Sequence, residues 1–325
     1  MNISVIGAGA WGTTLSILLS KKNYQIKLWS FEDVFINHEN TKFLPGFKIS
    51  SNVFLTLSDD DAVSDAEIIV FAVPSKHFRS ISKRFSSKIK KNTVLVSATK
   101  GIEQGTFKRM SEILSEEMKT DKIAVISGPN LSKEIATGLP AATVVASKDE
   151  TIARQIQNIL MNESFRVYVN DDVIGTELGG ALKNIIAIAA GAVDGLGLGD
   201  NAKAALMIRG ITEIKRLGAA MGAREETFLG LSGMGDLIVT CASSLSRNHR
   251  VGMEIAKGKK LSEILSSMVE VSEGVETAKA AYELSKKHKI EMPIIEQVYE
   301  VLYKNKNPKQ AIFDLMNRSA KAEIF

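Results

Sequence analysis

The chain has 325 residues, a length that suits about two domains rather than one. Apolar residues make up 45% and charged residues 24%, with 24 Gly and 6 Pro, which excludes a disordered, collagen-like or low-complexity chain. Lys plus Arg (41) exceed Asp plus Glu (37) only slightly, so the charge balance carries no signature of nucleic acid or an anionic membrane and leaves anionic small molecules open.

Short β-branched runs recur through the first half: Ile3 to Ile6, Gln25 to Trp29, Ile68 to Val73, Val94 to Ala98, Ile123 to Ser127 and Thr143 to Ala146. Longer mixed segments separate them. Strands that are apolar on both faces and alternate with helices imply a parallel sheet covered on both sides, a doubly wound α/β domain. Phe165 to Val169 reads as the last strand. From about Asp171 apolar residues recur at helical spacing, around Leu178 to Val193, Ala202 to Met221, Arg247 to Lys257, Leu261 to Met268, Val275 to His288 and Pro293 to Tyr303. Pro293 suits the first turn of a helix, where a missing N–H costs nothing. The expected organisation is a dinucleotide-binding domain over residues 1–172 and an all-α substrate domain over 173–325. Gly191 to Asp200, with four glycines, predicts a hinge or a loop that lets a ligand approach.

A lone Cys241 cannot form an internal disulfide, and four scattered His offer no zinc spacing, so no metal is expected and a reducing cytoplasm is the natural compartment. The start Asn2-Ile3-Ser4-Val5-Ile6 has no basic leader in front of it, and a secretory signal is not expected. Ile185 to Val193 is too short an uncharged run for a span of about 20 residues, so no membrane span is expected. The Asn-x-Ser triplets at Asn130, Asn162 and Asn317 are then chance matches.

Gly7-Ala8-Gly9-Ala10-Trp11-Gly12 fits G-x-G-x-x-G, follows the first strand and opens a helical pattern from Thr13 to Ser20. That context makes it a Rossmann-type dinucleotide fingerprint. Glycines let the backbone approach a pyrophosphate, and free N–H groups at the helix start attract its charge. About twenty residues on, Phe31-Glu32-Asp33 closes the second strand, and no Lys or Arg follows in Ser30 to Asn37. An acid there bonds ribose hydroxyls and repels the extra phosphate of NADP. NAD is therefore the expected cofactor and NADP remains possible, since such acids are commonly just solvated loop charges.

Val73-Pro74-Ser75, Ser97-Ala98-Thr99-Lys100-Gly101 and Ser127-Gly128-Pro129-Asn130 lie at carboxyl ends of predicted strands, the edge where open parallel sheets bind ligands. Lys183 sits in an otherwise apolar, glycine-rich helix, Gly179-Gly180-Ala181-Leu182-Lys183-Asn184. Partial burial lowers an ammonium pKa and fits it for proton transfer near neutral pH, although a snorkelling lysine gives the same pattern. Asp236 and Thr240 are four apart, so a helix sets both on one face. Ser246 is placed to cap the helix that Arg247 and Asn248 open, a combination suited to a phosphate and equally to a capped helix with an exposed arginine. Cys241 reads as a small buried side chain, with no His near it in sequence to activate a thiolate.

Taken in order, these strings together with Phe43-Leu44-Pro45 and Gly235-Asp236-Leu237 resemble NAD(P)-dependent glycerol-3-phosphate dehydrogenase over nearly the whole chain. The resemblance implies reversible hydride transfer between a nicotinamide and C2 of dihydroxyacetone phosphate or sn-glycerol 3-phosphate, the head-group precursor of glycerophospholipids. It makes Lys183 the proton donor or acceptor at the C2 oxygen, with Lys100 as a second catalytic lysine. It places Lys100, Gly128, Asn130, Asp236, Ser246, Arg247 and Asn248 around the substrate, with Thr240 beside them. It sets Gly7, Gly9, Ala10, Trp11, Gly12, Phe31, Ser132, Val271 and Glu273 near the cofactor, which Lys100 and Arg247 also approach. A homodimer is implied as well. Many bacterial members carry a basic residue just after the second strand, whereas Trp29-Ser30-Phe31-Glu32 looks more like the NAD-specific animal form; Trp11 stands where Ser is frequent. The rival readings are another two-domain dehydrogenase, of the 3-hydroxyacid or 6-phosphogluconate type, and a nicotinamide-binding sensor without chemistry. Retention of Lys100, Lys183, Asp236 and Arg247 together argues against the sensor.

Overall fold

Strands that are apolar on both faces are stable only inside a covered sheet, and the computed structural model, which describes residues 1–320, 322 and 323, contains one sheet of eight strands. They are β1 (Asn2–Ile6), β2 (Gln25–Trp29), β3 (Val53–Thr56), β4 (Ile68–Phe71), β5 (Val94–Ser97), β6 (Ile123–Ser127), β7 (Ala141–Ala146) and β8 (Phe165–Asn170). The spatial order is β3-β2-β1-β4-β5-β6-β7-β8. Chain direction across the sheet reverses between β2 and β4 at β1, and the crevice above this switch point is where such sheets bind dinucleotides. Helices α1 (Ala10–Ser20), α2 (Asp59–Val63), α3 (Ser75–Phe85), α4 (Met110–Met118), α5 (Ser132–Thr137) and α6 (Glu150–Leu160) cover the two faces.

Two features of the sheet differ from expectation. The edge strand β3 is only four residues with Phe54 exposed, too short and too little buried to stand out as a β run. The sheet is also not wholly parallel, because β7 runs antiparallel to β6, pairing Val125 with Ala146 and Ser127 with Val144. Helix α5 has just six residues and stops at Gly138, whose φ of 89° is left-handed; Pro140 follows. This ending turns the chain back along β6 instead of carrying it over the sheet.

From Val173 onward the described residues are helical: α7 (Val173–Gly195), α8 (Gly199–Ala220), α9 (Asp236–Ala242), α10 (Arg247–Ala256), α11 (Leu261–Ser266), α12 (Glu273–His288), α13 (Pro293–Tyr303) and α14 (Pro308–Met316). Short 3-10 and π turns, Glu225–Leu229 and Leu231–Gly235, lead into α9. Asp172 caps α7 by accepting from the Gly175 N–H at 2.8 Å. Helix α7 is long and apolar enough to cross a bilayer by length and composition, but 89% of its most apolar window is buried inside the fold. It is the axis of the second core, where Leu178, Leu182, Ile185 and Ile186 meet Phe228, Leu237, Val251 and Val275.

The expected hinge at Gly191 to Asp200 is corrected: Gly191 and Gly195 belong to α7, and only residues 196–198 link it to α8. A Cβ on Gly191 would meet the His249 carbonyl oxygen at 1.9 Å, and one on Gly252 would meet the Ile188 oxygen at 1.8 Å. These glycines press α10 against α7 and are contacts between helices rather than points of flexibility. Helix α14, absent from the sequence reading, starts at Pro308 and is capped by the Asn307 side chain accepting from the Lys309 N–H.

Candidate active site

A cavity of 610 Å³ runs from the end of β1, across the carboxyl edge of the sheet, to α7, α9 and α10. Gly7, Gly9, Ala10, Trp11, Phe31, Lys100, Asn130, Ser132, Lys183, Asp236, Thr240, Ser246, Arg247, Asn248, Val271 and Glu273 all line it. Gly12 and Gly128 do not. A Cβ on Gly12 would lie 1.9 Å from the Gly7 oxygen, so this glycine packs the helix onto the preceding loop. Gly128 acts through its carbonyl, which accepts from Lys100 Nζ at 2.8 Å.

Gly9 is the N-cap of α1, and nothing stands within 4 Å of where its Cβ would be. The free N–H groups of the first turn therefore face open space, the geometry a pyrophosphate requires. At the outer end, Phe31 is 74% exposed. The Arg84 guanidinium lies 5.4 Å from the Trp29 ring and 5.6 Å from the Phe31 ring. Glu32 is paired with Lys42 at 2.6 Å. The acid that sequence reasoning treated as uncompensated thus has a cation, Lys42, from a later segment, while Arg84 is paired with Asp59 at 2.6 Å. These residues fit a nicotinamide dinucleotide, whose pyrophosphate Gly9 and Ala10 would hold.

The inner end is built on one carboxylate between two lysines. Asp236, at the start of α9 and almost wholly buried, places Oδ1 2.8 Å from Lys183 Nζ and Oδ2 2.6 Å from Lys100 Nζ. Helical spacing puts Thr240 on the same face; its Oγ1 donates to the Asp236 carbonyl at 2.6 Å and accepts from Lys183 Nζ at 2.5 Å. An ammonium has three donors, so Lys183 spends two on Asp236 and Thr240 and has one left for the cavity. Burial, opposed by Asp236 and assisted by Lys100, pushes the Lys183 pKa down to about 8. The expected partial burial is in fact nearly complete, which removes the snorkelling alternative. Cys241 is buried as expected, and burial pushes its thiol up to about 12, far from a thiolate.

Helix α10 presents its N-terminus to the same cavity. Ser246 caps it, its Oγ accepting from the His249 N–H at 3.2 Å, and the N–H groups of Arg247 and Asn248 have no intrahelical partner. The Asn248 side chain is committed inside the protein: Nδ2 donates to Asn184 Oδ1 at 2.9 Å, while Oδ1 accepts from Ser272 and from the Gly274 N–H. It lines the cavity but serves the lining loops more than a ligand. The Arg247 guanidinium donates to the Val271 carbonyl at 3.0 Å and pairs with Glu270 at 3.1 Å, which tethers the 269–271 segment over the cavity mouth. Glu273 accepts from the Ser75 N–H at 3.0 Å and from its hydroxyl, tying α12 to α3, and burial raises its pKa.

Sequence reasoning missed His77, Leu245, Val269 and Glu270 among the lining residues, none of which carries a motif. It also missed Thr143, whose Oγ1 accepts from Asn130 Nδ2 at 3.1 Å and donates to the Ser127 carbonyl at 3.0 Å. Only the antiparallel pairing of β7 brings it there.

A dinucleotide cradle at a switch point, joined to a buried lysine of lowered pKa in a helical half, defines a two-domain nicotinamide-dependent oxidoreductase. Comparison with known proteins narrows the class. The family model of the NAD-dependent glycerol-3-phosphate dehydrogenase N-terminus matches residues 2–153, and that of the C-terminus matches 172–313. The chain is 48% identical to a glycerol-3-phosphate dehydrogenase [NAD(P)+] of Syntrophotalea carbinolica, with all of both chains covered. It is 48% identical to one of a Thermoanaerobacter species, covering all of this chain and 99% of the other. The solved glycerol-3-phosphate dehydrogenase of Coxiella burnetii superposes with a TM-score of 0.94 at 36% identity, over 98% of this chain and 99% of that one. This chain belongs to the NAD-dependent glycerol-3-phosphate dehydrogenase family.

Proposed function

We propose that this enzyme interconverts dihydroxyacetone phosphate and sn-glycerol 3-phosphate with NAD or NADP, supplying glycerophospholipid synthesis, and that Lys183 is its acid and base. When bound, the reduced nicotinamide supplies the hydride that reduces C2. The remaining donor of Lys183 meets the C2 oxygen, stabilises the negative charge that develops there and passes it a proton. Asp236 and Thr240 hold that ammonium in one orientation. Lys100, fixed by the Gly128 carbonyl and the other Asp236 oxygen, keeps a second positive charge beside the reacting oxygen and helps lower the pKa of Lys183. The phosphate binds Arg247 and the open N–H groups of α10, and this remote binding energy orients the reacting carbon. In the oxidative direction neutral Lys183 takes the proton from the C2 hydroxyl.

The observation that carries this reading is Lys183 itself: buried and held by Asp236 and Thr240 at the inner end of the cavity, a burial that pushes its pKa down to about 8. The test offers the purified protein NADH with dihydroxyacetone phosphate and, separately, with 3-oxo acids. Activity with the acids alone would overturn the reading. Replacing Lys183 by Ala is expected to lower kcat by about two to four orders of magnitude, and an unchanged kcat would remove it from the mechanism.

We also infer a division into a dinucleotide-binding domain, 1–172, and a substrate domain, 173–325, in a cytoplasmic homodimer. The break from strand to helix after β8 and the unpaired Cys241 support the first two features, and the family resemblance supports the dimer, which sedimentation equilibrium tests. NAD is the preferred cofactor on the strength of Glu32, with NADP tolerated because Lys42 offsets that acid.

A further inference from the structure

In a doubly wound sheet, helices usually carry the chain from one parallel strand to the next. Among the described residues no helix lies between β2 and β3, and the chain passes from Trp29 to Val53 through turns and isolated bridges. Ile36 and Glu39 exchange backbone hydrogen bonds at 2.9 and 3.0 Å. Asn37 and His38 between them have φ of 50° and 55°, the two-residue turn with both central residues left-handed that closes a tight hairpin. Its returning arm sets Asn40 opposite Phe35 and buries it completely.

A wholly buried amide is tolerated when it is hydrogen-bonded. Asn40 Nδ2 donates to the Ala8 carbonyl at 2.6 Å and to the Thr13 hydroxyl oxygen at 2.8 Å, while Oδ1 accepts from the Phe43 N–H at 3.0 Å. A carbonyl only accepts and an N–H only donates, so the two backbone partners fix which way the amide faces. Ala8 precedes Gly9, the N-cap of α1, and Thr13 lies one turn into that helix. One side chain therefore holds both arms of the loop that presents Gly9 and Ala10 to the cavity. In a trans peptide the N–H points opposite to the preceding carbonyl, so the Ala8 carbonyl, drawn inward to Asn40, turns the Gly9 N–H away from it. Asn40 itself does not line the cavity, whereas Ala8, Gly9 and Ala10 do.

We propose that Asn40 is a positioning residue for the dinucleotide: it fixes the Ala8–Gly9 peptide and the start of α1 in the conformation that receives the pyrophosphate. Asn40 thus sets the affinity for the cofactor, through Ala8, and leaves the affinity for the reducible substrate alone. This step rests on the fingerprint being the pyrophosphate site.

The experiment measures the Kd for NADH by its fluorescence at pH 8, and kcat and KM for dihydroxyacetone phosphate at saturating NADH, in the wild type, Asn40→Ala, Asn40→Asp and Thr13→Val. Aspartate keeps the size of the side chain and the acceptor for the Phe43 N–H, but sets an oxygen where the Ala8 carbonyl needs a donor. Both Asn40 variants are expected to weaken NADH binding about tenfold, as befits a carbonyl left without its buried donor, and Thr13→Val about threefold. The kcat and KM for dihydroxyacetone phosphate should hold. Folded Asn40 variants with wild-type affinity for NADH would overturn the proposal. So would an equal rise in Kd for NADH and KM for dihydroxyacetone phosphate, which would make Asn40 structural only. If thermal melts show that the Asn40 variants do not fold, Thr13→Val decides, and an unchanged Kd for NADH there overturns the proposal. Wild-type protein that binds NADH without reducing dihydroxyacetone phosphate would sink the proposed reaction alone, because the NADH affinities of the variants still decide this inference; wild-type protein that does not bind NADH would sink both.

Discussion

Replacing Asp236 by Asn keeps the shape of the side chain and removes the one charge on which both lysines depend, at 2.8 Å from Lys183 and 2.6 Å from Lys100. With its pKa at about 8, Lys183 is roughly nine-tenths protonated at pH 7. Reduction needs the protonated form. Its kcat/KM should therefore be flat below pH 8 and fall above it, while oxidation of sn-glycerol 3-phosphate should rise toward pH 8. A nearby opposite charge holds an ammonium's titration up by about 1–3 pH units, and Asp236→Asn should move the alkaline limb of reduction down by that amount. Activity at pH 7 then drops about tenfold for a displacement of 2 and recovers as the pH is lowered. Because losing a buried charge partner costs about 3–5 kcal/mol, Tm is followed alongside the rates. Lys100→Met supplies the opposite sign: the Lys100 charge lowers the pKa of Lys183, so its removal should push the limb upward. Steady-state NADH oxidation across the pH range reads both variants. A limb that stays in place in both, or a reductive rate that climbs through pH 8 in the wild type, would refute the assignment.

Two further outcomes follow from the ends of the cavity. Arg247→Gln removes the guanidinium that the cavity lining sets at the N-terminus of α10, and a hydrogen bond to a charged group is worth enough that KM for dihydroxyacetone phosphate should rise about ten- to hundredfold. Turnover of unphosphorylated dihydroxyacetone should be unaffected, and equal losses on both would show that the phosphate binds elsewhere. Lys42→Ala leaves Glu32 without its cation, and since exposed pairs are weak the KM for NADPH should rise only about two- to fivefold. The KM for NADH should hold, and an unchanged ratio of the two would remove Glu32 from cofactor selection.

The parts legible in the sequence are those in which local pattern and tertiary environment agree. Ile68 to Val73 is apolar on both faces because the strand is buried on both faces, and the fingerprint at Gly7 to Gly12 reads correctly because strand and helix flank it. Lys183 could be singled out because a charge in so apolar a helix needs a partner. The partner itself could not be identified, since Asp236 is brought to it by packing across the helical half and not by spacing. The same limit explains the reading of Gly191 and Gly195 as a hinge, because a glycine that admits a neighbouring helix and one that frees a backbone have the same composition. Lys42 lies outside the window Ser30 to Asn37, so the pairing of Glu32 appears only when β2 is set beside the segment carrying that cation. The reversal of β7 depends on the chain turning at Gly138 and Pro140, two residues that signal a turn without giving its direction.

The functional parts share one element. Near its start, α7 carries Glu177, whose carboxylate accepts from the Ser111 N–H at 2.8 Å and from Arg109 at 2.5 Å, fixing the helix to the sheet half. Near its end, Asp194 Oδ2 lies 2.7 Å from His249 Nε2, and Gly191 meets α10 backbone to backbone. Lys183 stands between these anchors, which are separated by roughly 26 Å of helix. The distance from Lys183 to the N-terminal turn of α10 is therefore set by a packed helix rather than by loops. In the reaction proposed for this site, the geometry that orients the substrate is then set when the protein folds, so that little of it is left to impose on binding.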